Sequence, residues 1–342
     1  MSFRSQRRDL WLVVIARSVS WLGDEVALVA MTLRLQSTGH GAGAVAALLI
    51  ANLLPLLLLS GVVGRLLDRR DNRMLLIGSS LAQAAVCSVL AFTSPTWAVL
   101  GLVALLGAGQ SINGATWQAL LPSIAGVDEL PKAVGRVQIG STLAGIVAPA
   151  LGGLLTGWYG ARVPLLLDAA TFLVITGAAL LLATRRSPAP VEDGVRMDGA
   201  LRIVRTDSLL RPLFVLLAVF VLLASTVNVA DVFLVRETLH ASTLWYGLAG
   251  AGFSLGALVG AVLSSQVRGV RKLARAFVLA SVGLSVGLAA MGLVPSVAWL
   301  LPFGFVVGFS NGTLNVALSS RARPMTSDDS ATLRNAAASA RC

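Results

Sequence analysis

Hydrophobic positions in this chain are gathered into ten long apolar runs, which short polar segments separate. Each run holds about 20 residues or more, the length that an α-helix needs to cross about 30 Å of hydrocarbon. Helices of soluble domains are rarely so apolar on every face. The pattern therefore predicts an all-α, polytopic membrane helix bundle with ten spans. The runs cover residues 10–35, 42–63, 74–94, 96–121, 137–158, 162–183, 212–235, 244–265, 274–294 and 297–318.

Basic residues occupy alternate gaps between the runs, as the positive-inside rule requires. This predicts a multi-pass protein of the cell membrane, the inner membrane in bacteria, with both termini in the cytoplasm. Only Arg162 and Arg236 fall in predicted outer loops, while Arg17 and Arg34 lie in the first run. The formal net charge of +11 therefore comes mainly from basic residues on the predicted cytoplasmic side of the membrane. This distribution favours a lipid bilayer over nucleic acid as the partner. The predicted inner basic residues include Arg4, Arg7, Arg8, Arg65, Arg69, Arg70, Arg73, Lys132, Arg136, Arg268, Arg271, Lys272 and Arg275.

Motifs for catalysis or cofactor binding are missing from the sequence. There is no G-x-x-x-x-G-K-[ST] loop, so we do not expect ATP-driven transport. Cys87 in the third run and Cys342 at the end do not form a disulfide framework. His40 and His240 are predicted in outer loops and, with these cysteines, make no metal site. We therefore expect no enzymatic activity, no cofactor and no metal.

A polar segment over 184–211 divides the runs into six and four. It begins with Pro, Gly and charged residues and then becomes weakly amphipathic, which predicts a cytoplasmic linker with a helix on the membrane surface. The predicted organisation is an N-terminal six-helix half over 1–183, this linker, an incomplete C-terminal half over 212–318 and a cytoplasmic tail over 319–342.

An internal repeat supports this division. The pair Asn-Gly at 113–114 recurs at 311–312, and the pair Ala-Leu at 119–120 recurs at 317–318 with the same spacing. By this symmetry two further spans would follow the tenth, where the sequence is polar instead. We expect that the last two spans of a 6+6 arrangement are missing.

The gap between the second and third runs carries the most specific motif. Gly64 is followed after three residues by Asp68 and Arg69, and a basic cluster continues to Arg73. Gly64 would let helices approach closely, and Asp68 could cap a helix or pair with a cation. The arginines would hold the segment at the anionic inner leaflet.

This segment resembles the signature loop of the major facilitator superfamily. Gly23-Asp24, Asp168 and the segment 234–247 are similar to the drug, macrolide and siderophore exporters of that family. The resemblance implies proton-driven export by alternating access between two six-helix halves. It also implies that Asp68 latches the outward-facing state, partly against an eleventh span that the ten runs do not include. The alternative is that this loop is only a topology anchor.

Small residues in the fifth run resemble the antiporter motif of family exporters. They are Gly145, Pro149, Gly152 and Gly153, while Ala148 departs from the Gly that the motif has before its Pro. Pro149 would bend the helix, and the glycines would allow tight packing. Generic small-residue packing is the alternative.

Carboxyl groups inside the runs are the main candidates for proton coupling. Insertion of a charged residue near a helix centre costs about 2.5–3.5 kcal/mol, so such residues are functional candidates. Asp24 and Glu25 lie near the middle of the first run, about 100° apart around a helix, so one of them is expected to face a central cavity. Asp168 lies in the sixth run and could instead sit at the membrane interface.

The fourth run supplies the candidate substrate cavity, because this span lines the cavity in the family. Its polar or aromatic residues there are Asn113, Trp117 and Gln118. Trp117 could offer a ring face to an aromatic or cationic substrate. The alternative for all three is a role in helix packing.

These observations predict a secondary transporter that exports small amphipathic compounds, such as drugs, antibiotics or siderophore-like molecules, in exchange for protons. Two alternatives are left open by the predicted loss of two spans. The chain could be a truncated relative without transport activity, or an assembly or sensing partner in the membrane. Another copy could instead supply the two spans, which would make an oligomer.

Overall fold

The computed structural model describes residues 3–39, 41–182, 226–267 and 270–322, and these are helical apart from short connections. The predicted linker at 184–211, the first part of the seventh run and the tail beyond residue 322 lie outside the described residues. Residues 226–233 are helical and continue into one π-helical turn, Leu234–Thr238. The α-helices with both ends described are α1 Phe3–Ser37, α2 Gly41–Leu58, α3 Ser60–Arg69, α4 Asn72–Leu90, α5 Thr96–Tyr159, α6 Arg162–Leu181, α7 Thr243–Ser265, α8 Val270–Met291 and α9 Leu300–Ala322.

Six helices in the described ranges are long and apolar enough to cross a membrane, or up to seven if α2 and α3 form one bent span. The all-α fold class is confirmed, but the count of ten spans is not. The first run lies in α1, whose apolar stretch is interrupted by four charged side chains. The ninth run forms a shorter apolar helix, Arg275–Met291. The six spans are Asn72–Leu90, Thr96–Gly126, Lys132–Tyr159, Arg162–Leu181, Thr243–Ser265 and Val297–Val316.

The gap between the fourth and fifth runs is a helical extension that breaks at one residue. Gly126 has φ 71° and ψ 169°, which interrupts α5 and separates its two spans. Glycine adopts this left-handed φ without a steric penalty. Lys132 Nζ donates to Glu129 Oε1 at 2.7 Å. This hydrogen bond and the charge of Lys132 lower the pKa of the Glu129 carboxyl below its ordinary value.

The described helices fall into two compact units, one within Met1–Gly247 and one within Leu248–Cys342. In the first unit, α1 packs against α5 and α6, and α4 packs against the same two helices. Phe172 and Ile175 of α6 are buried in its core together with Leu76 and Leu90 of α4. The charged and polar side chains discussed below lie along these α1, α4, α5 and α6 contacts.

Small residues bring α7 and α9 together in the second unit. A Cβ atom added to Gly256 or Gly260 would lie 2.1 Å from the carbonyl oxygen of Phe305 or Phe309, respectively. The reverse holds for Gly308, where the Cβ would lie 1.9 Å from the carbonyl oxygen of Phe253. Such backbone contact between helices is typical of small-xxx-small motifs in membranes.

Large apolar side chains cover the outside of both units. Trp97 is 80% exposed and Leu293 is 84% exposed, and many leucines and valines are more than 40% exposed. So much contiguous apolar surface would be unfavourable in water. Lipid is the solvent that suits it, as the apolar runs predict.

Candidate functional site

α1 and α6 come into contact at Gly23. A Cβ atom at this position would lie 2.5 Å from Asp168 Oδ1 and 2.6 Å from Thr171 Oγ1. Only a glycine therefore leaves room for this arrangement of the α6 side chains. The next residue of α1, Asp24, interacts electrostatically with the Asp168 carboxyl group. Two of the carboxyls predicted from sequence therefore belong to one electrostatic group near this helix crossing.

Asp168 is buried, with 2% of its surface exposed, and three helices meet at its carboxyl group. Cys87 of α4 donates its thiol to Asp168 Oδ2 at 3.3 Å. The Thr171 hydroxyl lies 3.2 Å from Oδ1 and 2.8 Å from the Asp168 carbonyl oxygen. These partners are neutral, and ion pairs within 4.0 Å occur elsewhere among the described residues. Asp168 is therefore buried among α1, α4 and α6.

Asp24 presents a carboxyl oxygen that protein groups leave unsatisfied. Its Oδ1 is buried without a hydrogen-bond partner in the described part of the chain. The carboxyl group interacts electrostatically with Asp168 and with Arg17, and the Gln110 side chain approaches it as a hydrogen-bond donor. An unsatisfied buried acceptor is the kind of group that a proton or a substrate donor would complete.

Arg17 is the cation of this region. Its guanidinium lies over the Trp21 ring, with 5.4 Å to the centroid. One of its nitrogens is 4.0 Å from the position of a Cβ on Gly114, so Arg17 bridges α1 and the first span of α5. The sequence places Arg17 two helical turns before Asp24, on nearly the same face of α1. Cys87 and Gln110 carry no such signal, because two other helices, α4 and α5, bring them to Asp24 and Asp168.

Asn113 lies at the interface of α4 and α5 and is 2% exposed. Its amide nitrogen donates to Gln83 Oε1 and, at 3.3 Å, to Ser80 Oγ. Its amide oxygen accepts from Ser79 Oγ at 2.6 Å. Gly109 makes room for the Gln83 side chain, since a Cβ there would lie 2.4 Å from Gln83 Cγ. These bonds use the polar atoms of Asn113 for helix packing.

The other two cavity candidates lie in different environments. Trp117 is 4% exposed, and its Nε1 is buried without a partner among the described residues. Gln118 is exposed on the same helix. The structure therefore does not gather Asn113, Trp117 and Gln118 around one space.

Glu25 belongs to a second electrostatic group. Its carboxyl and that of Asp231 both act on the hydroxyl of Tyr246. Asp24 interacts mainly with Asp168 and Arg17, so the two neighbouring acids of α1 interact with different sets of charged and polar groups. This agrees with the 100° separation expected from helix geometry.

The segment 64–73 is mostly helix, where the sequence predicted a loop. Gly64, Asp68 and Arg69 lie in α3, and only Arg70 and Asp71 leave the helical conformation. A glycine inside a helix costs only about 1 kcal/mol, so it did not end this one. A Cβ at Gly64 would meet nothing within 4 Å, so no close helix approach occurs there among the described residues. Asp68 is exposed.

Asp71 and Arg73 fix the start of α4. Asp71 is the N-cap residue, and its Oδ1 accepts a hydrogen bond from the Arg73 backbone nitrogen at 2.7 Å. From the sequence, Asp68 is a candidate for a helix cap or for pairing with a cation, whereas the observed cap is Asp71. The Arg73 guanidinium donates to the carbonyl oxygen of Leu180, in the last turn of α6. Arg8 donates to the next carbonyl, that of Leu181, at 3.1 Å. Arginines thus satisfy the carbonyl end of α6, where positive charge is favourable.

The four residues of the antiporter-like motif differ in whether they contact another helix. A Cβ at Gly152 would lie 2.9 Å from Val29 Cβ in α1, and one at Gly153 would lie 2.4 Å from the Thr243 carbonyl oxygen. The Pro149 carbonyl oxygen faces Gly247, 2.2 Å from the position of its Cβ. A Cβ at Gly145 would meet nothing within 4 Å. Three of the four residues therefore lie at close helix crossings.

Comparison with known sequences agrees with this architecture. Residues 13–339 match the family model described as Major Facilitator Superfamily. The multi-drug resistance efflux pump PmrA homolog of Lactococcus lactis subsp. lactis (strain IL1403) is 26% identical, over 77% of this chain and 66% of its own length. The multidrug resistance protein MdtG of Serratia proteamaculans (strain 568) is 26% identical, over 71% of this chain and 57% of its own length. The chain thus spans less than two thirds of these curated relatives.

Solved structures show the same fold. A mutant of the nucleoside transporter NupG superposes with a TM-score of 0.72 at 11% identity, covering 91% of this chain and 82% of that one. A bacterial homolog of the human lysosomal transporter Spinster, inward-facing and unoccupied, gives 0.66 at 12% identity, covering 93% and 75%. These identities are too low to carry more than the fold.

Proposed function

Since this chain belongs to the major facilitator superfamily, we propose that it is a secondary transporter that exports small amphipathic compounds in exchange for protons. The observation that carries this proposal is the pair of carboxyls at the Gly23 crossing. Asp168 and the Oδ1 atom of Asp24 are buried, the two carboxyls interact electrostatically, and this oxygen of Asp24 has no partner among the described residues. Ionisable residues inside membrane spans mark proton and substrate pathways.

Proton coupling follows from the chemistry of this pair. In a medium of low dielectric constant two neighbouring carboxylates repel, and a proton bound by one of them relieves the repulsion. Arg17 supplies a positive charge that interacts with Asp24. Protonation would change how strongly Asp24 attracts Arg17, and so could shift the balance between two packings of α1 against α5 and α6. One charge crossing 100 mV provides about 2.3 kcal/mol, which is enough to drive a useful gradient.

The substrate class is proposed from the relatives, whose names describe multidrug and macrolide efflux. Amphipathic compounds of these kinds are apolar and carry few polar groups. A binding cavity for such compounds is typically lined by apolar and aromatic side chains with a few polar atoms among them. The buried indole N–H of Trp117 is one such atom on α5. Of the three residues predicted for the cavity, we keep Trp117, assign Asn113 to helix packing and leave out the exposed Gln118. We add Gln110, whose side chain donates toward Asp24.

The segment around α3 is proposed to work as a gate through its charges. Arg73 joins the start of α4 to the end of α6 within the first unit. The exposed Asp68 and Arg69 at the end of α3 are available for a latch. In the antiporter-like motif, Gly152 and Gly153 would let α5 slide against α1 and the start of α7 with little steric resistance.

The test is transport in proteoliposomes that contain the purified 342-residue chain. A panel of lipophilic cationic dyes and macrolides would be assayed with an imposed proton gradient, with and without an uncoupler. We expect Asp24→Asn and Asp168→Asn to abolish gradient-driven transport while substrate binding is kept. Glu129→Gln is the matched control, because it removes an exposed carboxyl and should leave transport unchanged.

Two results would contradict the proposal. Gradient-driven transport at the wild-type rate by Asp24→Asn would remove Asp24 from proton coupling. A wild-type chain that is folded, yet moves no compound of the panel under any gradient, would favour the alternative that the 342-residue chain does not transport by itself.

A further inference from the structure

Three arginines converge on one cavity at the end of the first unit that the charge pattern predicts to be outer. Arg34 comes from the last turn of α1, Arg162 from the start of α6 and Arg236 from the turn Leu234–Thr238. The cavity has a volume of about 540 Å³. Arg162 and Arg236 are the two basic residues of the predicted outer loops, and Arg34 lies at the end of the first run next to the first of these loops. Their positions in the sequence are far apart, so the fold has collected them.

Every charged residue that lines this cavity is an arginine. The nearest acid along the chain, Glu237, accepts a hydrogen bond from Gln36 Nε2 at 3.2 Å. In the described part of the chain no ion pair within 4.0 Å involves the three arginines. Three positive charges therefore face one space without a protein anion, an arrangement that a bound anion would stabilise.

Each guanidinium is held by neutral partners that leave some of its donors free. Arg34 donates to the carbonyl oxygens of Leu90 and Thr93. Arg236 donates through Nη1 to the Ala241 carbonyl oxygen at 2.6 Å. Arg162 lies over the Phe92 ring, 5.6 Å from its centroid. A guanidinium has five N–H donors, so these contacts position the groups without using them up.

Two polar atoms of the lining are buried and have no partner among the described residues. They are Nε of Arg236 and Oγ1 of Thr156. Buried polar groups are nearly always hydrogen-bonded in folded proteins. Both belong to residues that line the cavity, so hydrogen-bonding capacity is left unused in its wall.

Two glycines shape the wall of the cavity. A Cβ at Gly157 would lie 2.5 Å from the Thr243 hydroxyl oxygen. Gly160 ends α5 with φ 69°, a conformation that favours glycine and turns the chain toward Arg162. The turn between α5 and α6 is therefore shaped by residues without side chains at the point where the arginines meet.

We propose that the cavity bounded by Arg34, Arg162 and Arg236 binds a phosphate group. A planar guanidinium matches the oxygens of phosphate or carboxylate. Phosphate suits three such groups better, because it offers more acceptor oxygens and more negative charge than a carboxylate. Exposed aromatic rings, Phe92 and Tyr159, line the same cavity, as is typical of the membrane interface where phospholipid phosphates lie.

Two sources could supply this phosphate, the headgroup of an anionic phospholipid or a phosphate-bearing molecule from the aqueous phase. The cavity lining does not include Asp24 or Asp168. The phosphate proposal therefore does not depend on whether transport is coupled to protons.

The first arm of the test uses the purified full chain in detergent and inorganic phosphate. Thermal unfolding would be followed as phosphate is added, against sodium chloride at equal ionic strength. Arg162→Gln is the main variant, because this guanidinium contacts a ring and its removal leaves few protein groups unsatisfied. Arg136→Gln is the matched control, since Arg136 also lies over a ring, 5.5 Å from the centroid of Trp11, away from the cavity.

The second arm uses vesicles of phosphatidylglycerol and phosphatidylcholine, from which the protein is extracted and the retained lipids are counted by native mass spectrometry. If the source is lipid, wild type and Arg136→Gln retain phosphatidylglycerol and Arg162→Gln loses it. If the source is aqueous, phosphate raises the unfolding temperature and phosphatidylglycerol is not retained. In either case Arg162→Gln should weaken binding about tenfold, the effect of losing one charge-assisted hydrogen bond.

Arg236→Lys keeps the positive charge but loses the planar guanidinium that can bind two oxygens at once, and we expect it to weaken phosphate binding as well. Circular dichroism would show that each variant is folded. The proposal is overturned if neither phosphate nor phosphatidylglycerol binds the wild-type chain, or if Arg162→Gln and Arg136→Gln weaken binding equally.

Discussion

Gly23 lies so close to Asp168 that a single added carbon would stand 2.5 Å from a carboxylate oxygen. The atoms in the way belong to two short side chains, the buried Asp168 and the partly buried Thr171, which hydrogen-bond to each other. The missing side chain of α1 is therefore what lets the Asp168 carboxyl of α6 approach the α1 backbone next to Asp24. A glycine that would be an ordinary packing residue elsewhere here determines the electrostatic surroundings of Asp24.

We predict that Gly23→Ala reduces both stability and transport. Overpacking at such a contact costs about 1–3 kcal/mol. Gly78→Ala in α4 is the matched control, because a Cβ there would meet nothing within 4 Å. Replacing a glycine inside a helix should leave that variant as stable as wild type or more stable by up to about 1 kcal/mol. Thermal unfolding in detergent would compare the two, and equal unfolding temperatures would show that the Gly23 contact is not tight in solution.

The Asn113 network gives a prediction for stability alone. Asn113→Leu would leave Ser79, Ser80 and Gln83 without their buried partner, which we expect to destabilise the chain by about 1–3 kcal/mol. Gln118→Leu changes an exposed amide of the same helix and should have little effect. Unfolding temperatures would be measured for both. A substrate-affinity change in Asn113→Leu without loss of stability would return Asn113 to the substrate cavity.

Much of the fold could be predicted from sequence because a membrane span is a local property. Length and apolarity on all faces suffice for α4, α6 and α7, whose bounds fall close to the predicted runs. The first run was harder to classify, since α1 mixes apolar residues with the charges that make the site. The segment at 64–73 was taken for a loop because Gly and charged residues usually end helices, yet α3 continues to Arg69.

The site was predictable only one residue at a time. Asp24 and Asp168 each stand out as charges in apolar runs, but their contact depends on how α1 crosses α6. Cys87 gives no such sign, because a single cysteine in an apolar run is usually a small packing residue. Arg162 and Arg236 did carry a signal as the exceptions to the positive-inside distribution, and Arg34 carried one as a charge at the end of the first run. Only the fold shows that these exceptions line one cavity.

The start of α4 offers a test that separates stability from gating. We predict that Asp71→Ala destabilises the chain by about 1 kcal/mol through loss of the N-cap. Asp68→Ala, three residues earlier, removes an exposed carboxyl and should leave the unfolding temperature unchanged. If the gate proposal is correct, Asp68→Ala should nevertheless slow transport. The opposite assignment, in which Asp68→Ala destabilises and Asp71→Ala does not, would contradict the capping geometry.

The glycine contacts between α7 and α9 provide a prediction for the second unit. Gly308→Ala would place a carbon 1.9 Å from the Phe253 carbonyl oxygen, so the two helices would have to separate. At Gly304, on the same face of α9, the added carbon would lie 3.5 Å from the Ala249 carbonyl oxygen, an ordinary contact. We expect Gly308→Ala to destabilise the chain by about 1–3 kcal/mol and Gly304→Ala to be neutral or stabilising. Thermal unfolding and protease resistance of the purified variants would check this, because separation of α7 and α9 should expose backbone to cleavage. If both variants behave alike, the helices do not approach each other through Gly308 as the structure shows.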